Sequence, residues 1–205
     1  MPNWCSNSLE IKGKRKDLLD LKEKLNGNNG CFTCGEIIPR PKDMDSSDLI
    51  TWAELWGSKW DVSEPSLKCF EGREKSIDFL MDDDWLEGID TLHYCYSTAW
   101  SPVDKVVEKL SEMFPDCYFI HEFEEGGNGF HGIEEFLGGE MIRELDLPMT
   151  CTAEDEEMYK EDGIEDMVYN VDTIEELANS DEGYFDFAEE VLEKRGFERH
   201  KHKYD

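Results

Sequence analysis

The chain has 205 residues, with 50 Asp and Glu against 21 Lys and Arg and a formal net charge of −29 at pH 7. Hydrophobic residues make up 39% and aromatic residues 12%, enough for a core, so the composition excludes a wholly disordered acidic chain. The same charge argues against direct binding of nucleic-acid phosphates.

The first predicted elements are a half-buried strand over residues 6–12, which alternates polar and apolar residues, and a helix over 15–25. Leu18, Leu21 and Leu25 give that helix its apolar face, and Gly27 marks its end. Further along, the patterns predict a strand over 90–97, a helix from Ser101-Pro102 to Pro115, and strands over 117–124 and 130–137. Asn128-Gly129 between the last two strands is a strong signal for a β-hairpin.

Two helices on one face of an antiparallel sheet indicate an α+β, ferredoxin-like fold. We therefore predict a core over residues 1–145 with a long insertion at about 28–88. Residues 67–70 and 76–81 are candidate strand pieces inside the insertion, without an assigned place. An acidic and mostly helical C-terminal extension is predicted over residues 146–205.

The acidic charge is concentrated in the second half of the chain. Residues 1–100 carry a net charge of −7 and residues 101–205 carry −22, and residues 151–190 hold 16 Asp and Glu against the single Lys160. Duplex DNA bears one charge per about 1.7 Å, so 29 charges correspond to roughly 49 Å of duplex. A globule of this length has a diameter of roughly 43 Å. The protein thus approaches the linear charge density of DNA.

No apolar run approaches the length of about 18 residues that a membrane helix needs, and the N-terminus does not read as a signal peptide. Seven Cys, an odd and scattered number, fit a reducing compartment. We expect a cytoplasmic protein in the host cell, with no contact to a membrane.

Several landmarks taken together resemble the YubB ferredoxin-like family, which is found in bacteriophages, plasmids and the bacteria that carry them. The quoted segments are Met1-Pro2-Asn3-Trp4-Cys5, Ile38-Pro39-Arg40-Pro41, Trp56-Gly57-Ser58-Lys59-Trp60-Asp61, Thr98-Ala99-Trp100-Ser101-Pro102, Phe114-Pro115 and Phe130-His131-Gly132. The likeness covers residues 1 to about 140 and implies a ferredoxin-like core and a mobile-element origin. It implies no catalytic residues, because the family has no settled biochemical activity.

Three short motifs suggest ligand sites, and each has a simpler interpretation. Residues 43–54 resemble a calcium loop, but Asp48 stands where the sharp turn needs Gly, so a polar loop followed by a helix is favoured. Cys31 and Cys34 have zinc-knuckle spacing without a second ligand pair, which favours buried thiols in a strand and leaves metal binding open. The glycines of residues 127–132 precede a strand rather than a helix, so we interpret them as a hairpin turn.

Aromatic, histidine and cysteine residues offer other candidates. Tryptophans recur at positions 52, 56, 60 and 100, where core packing or a protein-facing anchor is favoured over base stacking, since Lys59 is their only basic neighbour. His121 could pair with Glu124 or Glu134 for acid–base chemistry, and Cys95 or Cys117 beside a histidine could form a thiol nucleophile.

The leading functional hypothesis is a binding protein without catalytic residues, metal or cofactor. Its acidic surface would imitate nucleic acid and block the basic DNA- or RNA-binding channel of a host defence complex, as in anti-restriction or anti-CRISPR proteins. The partner-binding residues would be Glu154, Asp155, Glu156, Glu157, Tyr159, Glu161, Asp162, Glu165, Asp166 and Tyr169. Two alternatives stay open: a small metal- or thiol-dependent enzyme acting on a nucleotide or protein, and a phage structural or assembly module.

Overall fold

The computed structural model describes residues 2–28, 30–41, 49–68, 91–147 and 191–197. In chain order the elements are β1 (Trp4–Lys12), α1 (Arg15–Leu25), α2 (Cys34–Ile37), α3 (Leu49–Trp56), β2 (Ser63–Lys68), β3 (Thr91–Ala99), α4 (Asp104–Met113), β4 (Tyr118–Glu125), β5 (Phe130–Leu137) and β6 (Glu140–Leu147). Among the described residues, no helix is long and apolar enough to span a membrane.

The six strands form one antiparallel sheet in the order β2-β3-β1-β4-β5-β6. The β1-α1-β2 and β3-α4-β4 units interlock, so that β3 pairs between β1 and β2 and β1 pairs between β3 and β4. This is the split β-α-β arrangement of a ferredoxin-like fold. The predicted fold class is therefore confirmed for the core.

The main core lies between the sheet and α1 and α4. Leu9 and Ile11 of β1 pack with Leu18 and Leu21 of α1 and with Leu110 of α4, and all five side chains are almost completely buried. Because side chains alternate along a strand, Trp4, Ser6, Ser8, Glu10 and Lys12 of β1 point to the opposite face. We call that opposite face the second face.

Part of the second face carries a smaller apolar cluster. Tyr118, Ile133, Leu137 and Ile142 pack there against Leu192, which belongs to the helical residues 191–195 near the end of the chain. Phe197 also contacts this cluster, with its ring centroid 5.8 Å from that of Tyr118. The C-terminal residues therefore cover one end of the second face.

Four elements differ from the sequence prediction, and one of them, α2 with Cys34, is described with the candidate site. β2 lies at the sheet edge, where only strand pieces without an assigned place were predicted, and α4 begins at Asp104 rather than at Pro102. β6 was missed, although Gly138 and Gly139 both have a positive φ of the kind that a two-residue hairpin turn requires. β6 runs past residue 145, and the division of the chain at that position stays a prediction.

Candidate functional site

A polar groove lies on the second face. Its volume is about 440 Å³, and its lining includes three glutamates, four serines and one cysteine. The ionisable carboxylates are Glu64 from β2 and Glu122 and Glu124 from β4, and none of the described Lys or Arg residues lines it. A pocket of this composition favours cationic groups.

The groove arises from strand alternation. Ser6 and Ser8 of β1 point to the second face, and the register places them opposite Glu124 and Glu122 of β4. On the other side of β1, Ser97 of β3 pairs with Ser6. Small hydroxyl side chains on the middle strands leave the space that the glutamates border.

Exposed tryptophans lie at one end of this face. Trp4 also points to the second face, it is 47% exposed, and its ring centroid lies 6.3 Å from that of Trp60, which is 40% exposed. The ammonium group of Lys59 lies 5.2 Å from the Trp60 ring centroid. Trp100, at the end of β3, is 39% exposed. Exposed tryptophans grouped in this way are typical of a binding surface rather than of a core.

The loop over residues 57–61 is joined by hydrogen bonds to the end of β3 and to the residues that follow it. The Ser58 hydroxyl donates to the carbonyl of Ala99 at 3.2 Å, and the Ser101 hydroxyl donates to the carbonyl of Gly57 at 2.5 Å. Gly57 has φ +87°, and a Cβ there would meet the Asp104 carboxylate at 1.9 Å. Only glycine fits this position, because both the backbone angle and the space exclude a side chain.

Two residues of the candidate site have a strained backbone. Among the described residues that are not glycine, a positive φ occurs at Glu64 (+49°) and at Trp100 (+74°). Glu64 lines the groove and Trp100 belongs to the tryptophan group. Such angles are costly for ordinary residues and concentrate at functional sites, so they support a functional role for this face.

A second cavity borders Trp100 on its other side. Its volume is about 550 Å³, and Lys59, Lys105 and Glu54 contribute the charged groups of its lining. The Lys105 ammonium donates to the backbone carbonyl of Glu54 at 2.8 Å, which ties α4 to α3. This cavity is more basic than the groove, because two lysines line it.

A cluster of buried polar side chains lies on the helix-covered face of the sheet, opposite the second face. Asn7 Oδ1 lies 3.1 Å and the Tyr96 hydroxyl 3.2 Å from His121 Nε2. His121 Nδ1 lies 3.6 Å from a Glu134 oxygen, so the predicted pairing of His121 with Glu134 is present and that with Glu124 is not observed. Burial raises the pKa of the Tyr96 hydroxyl, which therefore acts as a neutral hydrogen-bonding group.

The other histidines face the groove side of the sheet. His131 Nε2 lies 3.1 Å from Glu122 Oε1, which links β5 to β4. His93 Nε2 lies 2.7 Å from the Ser8 hydroxyl and 3.7 Å from the Cys95 sulfur. The predicted placement of a histidine beside a thiol is therefore observed for His93 and Cys95. Cys117 instead packs in the main core, where burial raises the pKa of its thiol to about 12.

The two cysteines with zinc-knuckle spacing do not lie in a strand, and that part of the prediction is wrong. Cys34 begins α2, where the Asp61 carboxylate accepts a hydrogen bond from its backbone N–H at 2.8 Å. Burial, and secondarily the Asp61 charge, raises the pKa of the Cys34 thiol, and burial also raises the pKa of Cys31. Among the described residues, no group of three or more His, Cys, Asp or Glu side chains could hold a metal ion.

The predicted hairpin turn, the helix after the calcium-like loop and Trp56 also have defined places in the structure. Residues 126–129 form the predicted hairpin turn, in which the Glu125 carboxylate accepts hydrogen bonds from the backbone of Gly127 and Asn128 at 2.7 Å. The helix expected after the calcium-like loop is α3, while residues 43–48 lie outside the described ranges. Trp56 is a core residue, and its Nε1 donates to the carbonyl of Ile38 at 3.0 Å.

All ten predicted partner-binding residues between 154 and 169 lie outside the described residues. The groove and the tryptophan group were missed as a site, because they depend on the pairing of distant strands. One signal was available, since alternation along residues 6–12 already puts Trp4, Ser6 and Ser8 on one face.

Comparison with known proteins supports the fold. Residues 75–172 match the family model of the "Ferredoxin-like domain in Api92-like protein". The crystal structure of a protein api92 from Yersinia pseudotuberculosis is similar, with a TM-score of 0.52 and 10% sequence identity, over 74% of this chain and 100% of that chain. The chain carries a ferredoxin-like domain. No curated protein matches it.

These comparisons bear on fold and not on activity, because an identity of 10% carries no site residues across. The YubB family stays a resemblance carried by the motifs quoted above. The range of the family match continues past residue 145, the predicted end of the core.

Proposed function

We propose that the chain is a non-enzymatic acidic binding protein of a mobile genetic element. Its carboxylate-rich surfaces would occupy the basic DNA- or RNA-binding channel of a host defence complex, of the kind that anti-restriction or anti-CRISPR proteins block. The mechanism is steric and electrostatic competition with nucleic acid. The observation that carries the proposal is the groove, which combines three glutamates with the adjacent exposed pair Trp4 and Trp60.

Both features of this face recognise cationic side chains. Carboxylates pair with Lys and Arg, and an indole face attracts the same groups through its π-electrons. The net charge of −29 would steer a basic partner towards the protein, while the tryptophans would supply the apolar anchors that slow dissociation. A basic channel built for phosphate presents the complementary surface.

The acidic residues 154–166 supply a second set of carboxylates to this proposal. Their interleaved Tyr159 and Tyr169 would add aromatic contacts. With 16 acidic residues between 151 and 190, this segment carries about half of the excess negative charge. We propose that the segment and the groove bind the same partner.

The test begins with affinity capture from bacterial lysate by the tagged protein, washed at low and then moderate salt. A captured nucleic-acid-binding complex is then purified, and its labelled DNA or RNA is titrated with the protein. The proposal expects displacement of the nucleic acid, with an affinity that falls steeply as salt rises. A partner that binds protein and nucleic acid at the same time would refute competition.

Matched variants locate the surface. We expect the triple substitution Glu64→Gln, Glu122→Gln and Glu124→Gln to slow association. The control triple Asp20→Asn, Glu23→Gln and Glu108→Gln removes the same charge from exposed helix positions and should change binding much less.

Two further variants complete the test. Loss of an aromatic anchor typically costs about 2 kcal/mol or more, so Trp4→Ala should weaken binding roughly 30-fold. Substituting Gln or Asn for the acidic residues between 154 and 166 should abolish binding without unfolding the core. Equal effects of the groove and control triples would show that only net charge matters and would exclude the groove.

A further inference from the structure

We propose that Ser8, His93 and Cys95 form a nucleophilic thiol site in the acidic groove, which takes a positively charged electrophile. The inference goes beyond the proposed binding function, since it assigns a chemical reactivity to three described side chains. It gives specific residues to the thiol chemistry that the sequence left as an alternative.

The geometry places two potential nucleophiles on one imidazole nitrogen. His93 Nε2 lies 2.7 Å from the Ser8 hydroxyl oxygen and 3.7 Å from the Cys95 sulfur. His93 and Cys95 are two residues apart on β3, so both point to the second face, and β1 brings Ser8 beside them. A nucleophile within hydrogen-bond reach of a base is the arrangement that covalent catalysis requires.

The cysteine is the more reactive of the two nucleophiles. A thiol gives up its proton far more readily than a hydroxyl, and the thiolate is the reactive form. Cys95 is half-buried and lines the cavity of about 440 Å³, so a small reagent can reach it. Ser8 then serves as a hydrogen-bonding neighbour of the imidazole.

Charged residues border the histidine and the groove. In the strand register Glu10 of β1 and Lys68 of β2 lie opposite His93. The Lys12 ammonium lies 3.2 Å from the Glu10 carboxylate. The groove carboxylates Glu64, Glu122 and Glu124 favour a cationic reactant over an anionic one.

A methanethiosulfonate probe reacts with this site in one step. The Cys95 sulfur attacks the sulfenyl sulfur of the probe, its proton passes to His93 Nε2, and a mixed disulfide forms as the bond to the sulfonyl sulfur breaks. Methanesulfinate leaves with the electron pair of that bond. An acyl group on a cationic carrier would react in the same way, with attack at carbon and departure of the alcohol or thiol.

The experiment compares a trimethylammonium and a sulfonate methanethiosulfonate probe on the full chain, with peptide mass spectrometry to resolve each cysteine. Cys31 is the internal control, because it is also half-buried but burial raises its pKa. We expect Cys95 to react faster than Cys31, and faster with the cationic probe than with the anionic one. Equal rates at the two cysteines would overturn the proposal.

The variant His93→Gln retains a donor near the Nε2 position but cannot accept a proton. Without the imidazole, nothing at that position takes the proton of the Cys95 thiol as it attacks. We therefore expect the Cys95 rate to fall in the variant while the Cys31 rate is unchanged. An unchanged Cys95 rate would refute the role of the histidine.

Two additional variants separate chemistry from structure. Ser8→Ala keeps the base and should leave the Cys95 rate at least as high as in the native protein, even if His93→Gln proves unstable. A loss in Ser8→Ala as large as in His93→Gln would mean that the cluster only supports the fold, and would overturn the site. The triple Gln variant of the groove should lower the preference for the cationic probe alone. No binding partner enters these assays, so their failure would leave the proposed binding function untouched.

Discussion

The buried ion pair beneath the C-terminal residues gives the sharpest stability prediction. Arg143 Nη1 donates to Glu135 Oε1 at 2.8 Å, and the Tyr118 hydroxyl donates to Glu135 Oε2 at 2.7 Å. Glu135 is 0% and Arg143 2% exposed. Glu135 and Arg143 therefore stabilise each other's charge in place of water, and the loss of one of the two charges removes that stabilisation from the other.

The perturbation is Glu135→Gln, which keeps the shape but removes the carboxylate charge that pairs with the guanidinium group of Arg143. Breaking a buried pair in this way costs about 3–5 kcal/mol. Tyr118→Phe removes one hydrogen bond to a charged acceptor and should cost about 1.5–3 kcal/mol. With a urea dependence of about 2 kcal/mol per molar, the two substitutions would move the midpoint by roughly 2 M and 1 M.

The assay is urea unfolding followed by far-ultraviolet circular dichroism and by tryptophan fluorescence, whose transitions must coincide for a two-state treatment. Glu144→Gln is the control, because Glu144 is exposed next to Arg143. The double variant Glu135→Leu with Arg143→Met should recover most of the lost stability, since it leaves no unpaired charge. A cost below about 1 kcal/mol for Glu135→Gln, or no recovery in the double variant, would refute the reasoning.

Three other substitutions test separate parts of the structure. Asp104→Asn should raise stability at neutral pH and flatten its dependence on pH, because burial, and then the charge of Glu134, raises the Asp104 pKa above 3.8. The folded state therefore holds a proton that the unfolded state loses, and the native protein loses stability as pH rises from 3.8 through the raised pKa. Unfolding measured at pH 4 and at pH 7 would record the difference. Gly57→Ala should lower the unfolding free energy by at least about 1–2 kcal/mol, because alanine resists φ +87° and would contact the Asp104 carboxylate, and an unchanged urea midpoint would contradict this. Leu192→Ala should cost about 2–4 kcal/mol if the C-terminal residues unfold with the sheet, and a separate early transition in fluorescence would show that they detach independently.

Local periodicity was sufficient to predict the regular elements of the core. α1 lies over residues 15–25 as expected, and the alternation along β1, β4 and β5 placed those strands within about two residues. β6 was not predicted because Arg143 is buried. A charged residue at an inward-facing position interrupts the alternation of polar and apolar residues by which a strand is predicted. β2 contains Pro65 and a register shift between Ser63 and Ser66, features that hide an edge strand.

The site was predictable only in part. The pairing of Cys95 with His93 follows from alternation, because residues i and i+2 of a strand share a face. Ser8 could join them only once the register of β1 against β3 was known. The contact between Trp4 and Trp60, and the hydrogen bond from the Trp100 N–H to the Asn3 carbonyl, join residues too far apart in sequence for any periodic pattern to cover.

A chain of hydrogen bonds connects the buried interior to the proposed binding surface. Asn7 Nδ2 donates to Thr98 Oγ1 at 2.8 Å, and Thr98 Oγ1 donates to the carbonyl of Ser101 at 2.7 Å. The hydroxyl of Ser101 in turn donates to the carbonyl of Gly57, at the start of the loop that holds Trp60. A tryptophan fixed in this way loses less conformational entropy on binding than a mobile one, and a rigid anchor retains more of its contact energy as affinity. The buried polar residues near Asn7 are therefore proposed to support the binding surface by fixing the start of this loop.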